Sequence, residues 1–290
     1  MKPFDIALAV AVAVIWGVGF VLTRIALDEI SSTLLTALRF GITALPCLFL
    51  PRPRLSFALV LGISWLLVCQ FLAQTYGLAH GVPAGLTAVI VQSQALFTVA
   101  FAALFLREHP TRLQVLGIGI ATCGLVLICL TVGYDFSVGA FAVLMTAPVS
   151  FAFSNLLLRR AGGVPMLDLF AWIGLLAMVP LLGVLLFVEG PGATWQALVH
   201  ISLPVAACVV ALAVLGTTLG YWIWGRLLRE YTAAQVVPFA LLVPFIGAGA
   251  SAIVFGETFG TLRLAGMMVV IAGIGVMLLS PRPPPLPEIA

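Results

Sequence analysis

Apolar residues fill this chain in long runs that neither alternate nor leave a wide polar face, and short groups of charge, proline or glycine separate them. A helix that crosses a bilayer needs about 20 mostly apolar residues. Lipid also requires every backbone group to bond internally, which leaves helices or closed barrels. These runs are too long and too unalternating for barrel strands, so the pattern predicts helices. Ten are expected, at 5–27, 33–50, 57–79, 84–106, 111–131, 137–159, 166–188, 200–226, 233–255 and 261–280. The connections are so short that neighbouring helices must run antiparallel, with no room for a soluble domain.

Composition agrees with this pattern. Of 290 residues, 63% are hydrophobic and 8% charged, against about 25% charged in soluble domains. The expectation is an all-α integral membrane protein. The net charge of +3 does not point to nucleic acid, because the basic residues sit singly at helix ends. Lys2 followed by an apolar run could open a signal peptide, but Arg24 stands where a small-residue cleavage site would be needed. The run therefore reads as the first span. Residues 281–290, with five prolines, are expected to be a disordered tail.

Charge sets the expected orientation, because cytoplasmic segments collect Lys and Arg. With the N-terminus inside, Lys2, Arg52, Arg54, Arg107, Arg112, Arg159, Arg160, Arg226, Arg229 and Arg282 are cytoplasmic, ten of the thirteen basic residues. Arg24, Arg39 and Arg263 are left at or near the outer side, and outer loops collect Asp28, Glu29, Asp135, Glu189 and Glu257. Both termini are expected in the cytoplasm.

Ala84 to Ile128 and Ala233 to Met277 share a plan 149 positions apart: an apolar run, an acidic break at Glu108 or Glu257, and a second run with paired glycines. Six of the 45 aligned positions are identical, among them Gly117/Gly266 and Gly124/Gly273. A repeat of five spans must insert upside down relative to its twin, the inverted symmetry of many secondary transporters. The expected division is 1–132 and 133–280 as two five-helix repeats, with the tail at 281–290.

Particular motifs carry a family resemblance. Trp16-Gly17, Leu38-Arg39-Phe40, Pro83-Ala84-Gly85-Leu86, Gln92-Ser93-Gln94-Ala95, Gly220-Tyr221-Trp222-Ile223-Trp224-Gly225 and Leu241-Leu242-Val243-Pro244 together resemble the drug/metabolite transporter superfamily and its EamA-type ten-helix exporters. Within that group the chain is most similar to bacterial exporters of O-acetylserine and cysteine. The resemblance implies an exporter of small metabolites, with amino acids and their derivatives as the substrate class, in the cell membrane of a bacterium.

Polar groups inside lipid are costly, and each asks for a reason. Arg39 lies about two turns into the second span, with Thr36 and Thr43 on its face. It could hold a substrate carboxylate through its planar fork, or act as a structural anchor that bonds helix-end carbonyls or pairs with Asp28 or Glu29. Gln70 and Gln74, four apart, share one face of the third helix. Gln92 and Gln94, two apart, should point in nearly opposite directions, so at most one of them faces a central cavity squarely. Amides donate and accept, which suits a zwitterion; the plainer alternative is glue between helices. Trp16 on the first helix, and Thr217, Tyr221 and Trp224 on the eighth, offer an aromatic wall, and Asn155 with Ser154 could complete it. The candidate substrate-binding residues are Trp16, Arg39, Gln70, Gln74, Gln92, Gln94, Asn155, Tyr221 and Trp224.

Gly81/Gly85 and Gly216/Gly220 have the spacing of close helix contacts, and Pro148, Pro180, Pro204, Pro238 and Pro244 could bend their spans. Cys47, Cys69, Cys123, Cys129 and Cys208 fall inside apolar runs, lack metal-ligand spacing, and read as buried small hydrophobes. No span carries an acid in its middle, and HExxH, GxSxG and a Walker A loop are missing. No enzyme, metal or cofactor is therefore expected. The expected partners are a small-molecule substrate and the bilayer, in a monomer, with a coupling proton left open. The alternatives are a passive facilitator, a transporter of drugs or nucleotide sugars, and a membrane-embedded enzyme.

Overall fold

The computed structural model describes residues 1–131, 136–159, 164–231 and 233–279. The expected tail at 281–290, and Asp135, Arg160 and Arg282 of the charge pattern, lie outside the described residues. The main helices are α1 (Pro3–Ala26), α2 (Ser32–Leu48), α3 (Phe57–Ala79), α4 (Ala84–Leu106) and α5 (Arg112–Cys129). They continue as α6 (Val138–Leu158), α7 (Met166–Glu189), α8 (Leu203–Glu230), α9 (Val237–Phe255) and α10 (Thr261–Leu278). Among the described residues nine of these are long and apolar enough to cross a membrane, and α2 is the shorter one. A small helix, Pro191–Val199, lies between α7 and α8.

Side chains placed just before the apolar runs start the helices. Ser31, Ser56, Ser137 and Ser202 each accept a bond from a backbone N–H three residues on, satisfying donors that have no helical partner. Thr111 and Gln114 form a reciprocal capping box at the start of α5. The eighth helix begins at Leu203, not 200, and Pro204 sits in its first turn. There a missing N–H costs nothing, so Pro204 starts a helix instead of bending one.

Helices α5 and α10 pack along one another, as do α3 with α6, α1 with α9 and α2 with α7, while α4 touches both α6 and α9. The α5–α10 contact is made by the glycines of the repeat. A Cβ on Gly117 would stand 2.6 Å from the Gly273 carbonyl oxygen, and one on Gly273 would stand 2.7 Å from that of Gly117. Gly124 and Gly266 are matched in the same reciprocal way, at 2.7 and 2.9 Å. Only hydrogen side chains allow this approach, which lets backbones gain dispersion contact where lipid offers no hydrophobic drive.

The ties made by acidic side chains fall into two sets at opposite ends of the bundle. At one end Tyr231 donates to Asp5 at 2.6 Å, Arg226 lies 3.5 Å from Asp5, and Arg159 pairs with Glu108 at 2.8 Å. At the other, Arg24 pairs with Asp28, Ser31 donates to Glu189 at 2.7 Å, and Ser202 binds Glu29. Glu257 accepts there from the backbone N–H groups of Ala84 and Gly85 at 2.8 and 3.1 Å and from Ser251 at 2.6 Å. Glu257, which follows α9, thus caps α4, where a carboxylate meets the positive end of the helix dipole.

Two expectations need correction. Gly81 has φ of +88° and nothing near its missing Cβ, so it serves a turn, whereas Gly85 does make a close contact, with Ala248 and Ser251. Cys69, Cys123 and Cys129 are exposed on the bundle's outer surface, and only Cys208 is buried. A bilayer makes that outer surface apolar, so a thiol is as much at home there as in the interior. No group of three metal-ligating side chains occurs among the described residues.

Candidate functional site

Breaks in helix geometry bring the candidate residues together. Helix α8 widens into a π turn over Leu212–Leu219, where the hydroxyls of Thr217 and Thr218 reach carbonyls five residues back, at Leu212 and Ala213. The indole N–H of Trp16 on α1 donates to the Gly216 carbonyl at 2.8 Å. A Cβ on Gly220 would lie 2.8 Å from that indole nitrogen. Gly216 and Gly220 therefore admit side chains, not a neighbouring helix backbone: Trp16 at Gly220, and the Arg39 guanidinium at Gly216, where its Nη2 would stand 3.5 Å from a Cβ.

Arg39 reaches this π turn from α2. Its Nε donates to the Thr217 hydroxyl at 2.8 Å, and its guanidinium carbon lies 4.3 Å from the centre of the Phe71 ring on α3. The four ion pairs among the described residues all lie at helix ends and do not include Arg39. Asp28 is taken by Arg24, and Glu29 by Ser202. The anchoring role considered for Arg39 is thus not an acid pair. Thr36 and Thr43 bond to the helix's own carbonyls, at Ser32 and Arg39.

Aromatic rings close the surroundings. Trp16 lies 5.4 Å from Tyr221 and 5.2 Å from Trp224, and Phe170 of α7 stacks on Tyr221 at 4.0 Å. Such offset pairs add attraction beyond the area they bury. Trp65, Trp195 and Trp222 are exposed, as lipid-facing or interfacial residues should be.

A second group forms where α4 and α9 are broken. Helix α4 is interrupted at Ser93, whose N–H and hydroxyl both turn back to the Ile90 carbonyl. Helix α9 opens as a 3-10 turn, Val237–Leu241, and becomes α-helical at Leu242. The two irregularities lie close together in the shared plan, since Leu242, where the 3-10 turn gives way to α-helix, follows Ser93 by 149 residues. The Gln92 amide donates to the Ala240 carbonyl at 2.8 Å. In an unbroken helix that carbonyl would accept from residue 244, and Pro244 has no N–H to give.

The break also alters the glutamine pair. Gln94 donates to the Gln92 side chain at 3.4 Å, so the two meet and do not point apart as ideal helix spacing requires. Asn155 of α6 donates to Thr98, and Thr98 to the Gln94 carbonyl. The Oε1 of Gln94 and the hydroxyl of Ser154 are buried without a partner. So is Oε1 of Gln70, a residue only 4% exposed. Gln74 is buried on the same helix.

The structure therefore gathers Trp16, Arg39, Tyr221 and Trp224 around the π turn, and Gln92, Gln94 and Asn155 around the two helix breaks. Gln70 and Gln74 stand on α3, which reaches the first group through Phe71. Among the described residues no hydrogen bond joins the two groups. Phe71, Phe170, Thr98 and the carbonyls of Gly216 and Ala240 were not among the candidates. Backbone acceptors carry no mark in sequence, and the two phenylalanines look like any others in an apolar run. The crevice between α2 and α7, lined by Leu34, Leu38, Met178 and Leu198 among others, is apolar and does not include Arg39.

The EamA-like transporter family matches the chain twice, at residues 4–130 and 138–279. The chain belongs to this family. As an EamA-like transporter it is a multi-pass protein of the cell membrane, the inner membrane in bacteria. It is 34% identical to a "Probable amino-acid metabolite efflux pump" of Salmonella typhimurium, over 94% of each chain. It is 28% identical to a "Probable terminal-alkyne amino-acid exporter" of Streptantibioticus cattleyicolor, over 94% of this chain and 92% of the relative. A solved crystal structure shares the fold at a TM-score of 0.62 and 16% identity, covering 95% of this chain and 96% of that one.

Proposed function

We propose that this EamA-like protein is a secondary transporter that exports amino acids or closely related metabolites by alternating access, and that it is not an enzyme. In this reading it has ten spans in two inverted repeats, 1–132 and 133–280, with both termini cytoplasmic. The observation that carries the mechanism is the meeting of two broken helices. Transporters of inverted-repeat design place their substrate where discontinuous helices free backbone groups near mid-membrane. Here the break in α4 and the end of the 3-10 turn in α9 lie 149 residues apart, the offset of the proposed repeat, and the Gln92 amide joins the two helices. The reciprocal glycine contacts of α5 with α10 are a further support, because a two-fold relation pairs each glycine of one helix with one of the other.

The proposed substrate lies among Trp16, Arg39, Gln70, Gln74, Gln92, Gln94, Asn155, Tyr221 and Trp224. Arg39 meets the carboxylate, the amides bond polar groups, and the Trp16–Tyr221 wall packs on the side chain. The names of the relatives support amino-acid metabolites as the class. Purified protein in sealed liposomes, offered a panel of labelled amino acids with and without a pH gradient, provides the test. Transport of at least one of them is expected, and lost or strongly reduced on Gln70→Ala with insertion preserved. Transport of none would overturn the exporter reading, and undiminished transport by the variant would remove Gln70 from the site. Concentrative uptake only with the gradient means proton coupling, and simple equilibration means a facilitator.

A further inference from the structure

The charge of the ligand that this site accepts follows from what surrounds Arg39. The inference rests on the exporter reading above. Two arginines are held inside the bundle. Arg263 is 6% exposed and bound to the Thr131 hydroxyl and carbonyl. Arg39 differs. Its Nε is fixed by Thr217 and its plane lies against Phe71, while among the described residues no acceptor bonds to either Nη, and the side chain stays only half-buried. The guanidinium is thus oriented by α8 and α3, with its outer edge left unused among the described residues. That edge can grip a carboxylate with two parallel bonds.

The positioning is built in depth. Thr217 is set by the π turn, where its own hydroxyl reaches the Leu212 carbonyl at 3.2 Å, and the turn is keyed by the Trp16 bond to Gly216. The rest of the wall is Trp16, Tyr221, Phe170 and Trp224, none of them acidic. A cation in low dielectric without a counter-charge is costly. An anionic ligand relieves that cost, and a cationic ligand adds to it. We propose that the site requires a carboxylate on its ligand, excludes ligands of net positive charge, and reads the amino group by no charged partner. N-acylated amino acids are then accepted, whereas esters and decarboxylated amines are not. Thr217 is a positioning residue that aims Arg39.

The test is binding, measured as thermal stabilisation of the purified full chain in detergent. The probes are leucine, phenylalanine and cysteine, each with its N-acetyl derivative, its methyl ester and its decarboxylated amine. The free and N-acetyl acids of at least one set are expected to bind, with ester and amine weaker by about tenfold or more, the loss of a charge-assisted bond. In Arg39→Gln the acid should fall to the level of its ester. Thr217→Val should narrow the acid–ester gap and Thr217→Ser should restore it, which a merely structural role would not do. An ester or amine that binds as tightly as its acid, or acids that never bind, would overturn the proposal. Should Arg39→Gln fail to fold, the wild-type comparison and the Thr217 pair still decide. Transport in liposomes is a separate measurement: esters that bind equally while transport persists sink this inference and leave the exporter reading standing.

Discussion

Glu29 lies in the turn between α1 and α2 and accepts from the Ser202 hydroxyl at 2.7 Å and the Ser202 backbone N–H at 3.0 Å. Ser202 also caps α8, so one carboxylate ties two helix ends. The hydroxyl bond, then the backbone bond, holds its pKa below the usual carboxylate value. A lowered folded pKa gives stability that is present above the unfolded value, about 4.3 for Glu, and lost as pH falls through the folded one. The melting temperature of wild type should therefore exceed that of Glu29→Gln near neutral pH, with the difference vanishing in acid. A difference that persists in acid would mean that the charge is not what holds the turn. Sequence placed Glu29 in an outer loop but could not show Ser202 opposite, because 173 residues separate them. Gln92 and Gln94 teach the same lesson inside the bundle. Their spacing predicted divergence only while the helix was taken as regular, and the break at Ser93 removed that premise.

Helices carry the departures from regularity that matter here. The π turn of α8 and the 3-10 turn of α9 lie where a residue on another helix supplies a bond, and the break of α4 lies where Ser93 turns back on Ile90. Trp16 supplies one to Gly216, Gln92 supplies one to Ala240, and Gly220 clears the space for the indole. The α5–α10 pair shows the opposite case, where two regular helices meet because the glycines repeat every seven residues. Gly124→Val would place bulk 2.6 Å from the Val270 nitrogen and 2.7 Å from the Gly266 carbonyl. Overpacking of this kind costs about 1–3 kcal/mol. A lower melting temperature in detergent is expected, and Gly119→Val, at a position with nothing near its missing Cβ, should change it little. Equal effects of the two variants would argue against the tight crossing.

At the scale of the molecule, the ties of the acidic side chains sort to two ends, and this sorting fits the charge pattern. One end holds Asp5, Glu108, Arg159, Arg226 and Tyr231, and the other holds Arg24, Glu29, Glu189 and Glu257. The proposed orientation puts the first end in the cytoplasm. Alkaline phosphatase fused after Glu189 should then be active, and the same fusion after Arg107 inactive, with a fluorescent protein folded at the C-terminus. The reverse pattern of activities would overturn the orientation and leave the fold intact. Helix α2 is the shortest of the main helices, and its 17 residues rise about 25 Å, close to the hydrocarbon thickness of about 30 Å; the proposed ten-span reading takes it as a span.

Lipid acts on each segment locally. A run of apolar residues long enough to cross must become a helix whatever its neighbours do, and for that reason the all-helical fold and the membrane setting could be read from the chain alone. The proposed substrate site obeys no such local rule. Its geometry depends on carbonyls freed by a π turn and by Pro244, on a tryptophan 200 residues from the oxygen it binds, and on a phenylalanine that only folding brings under Arg39. Each of these is a contact between distant segments, and none leaves a periodic trace in the sequence. The tertiary structure alone decided which polar residues meet, and it left the edge of Arg39 open.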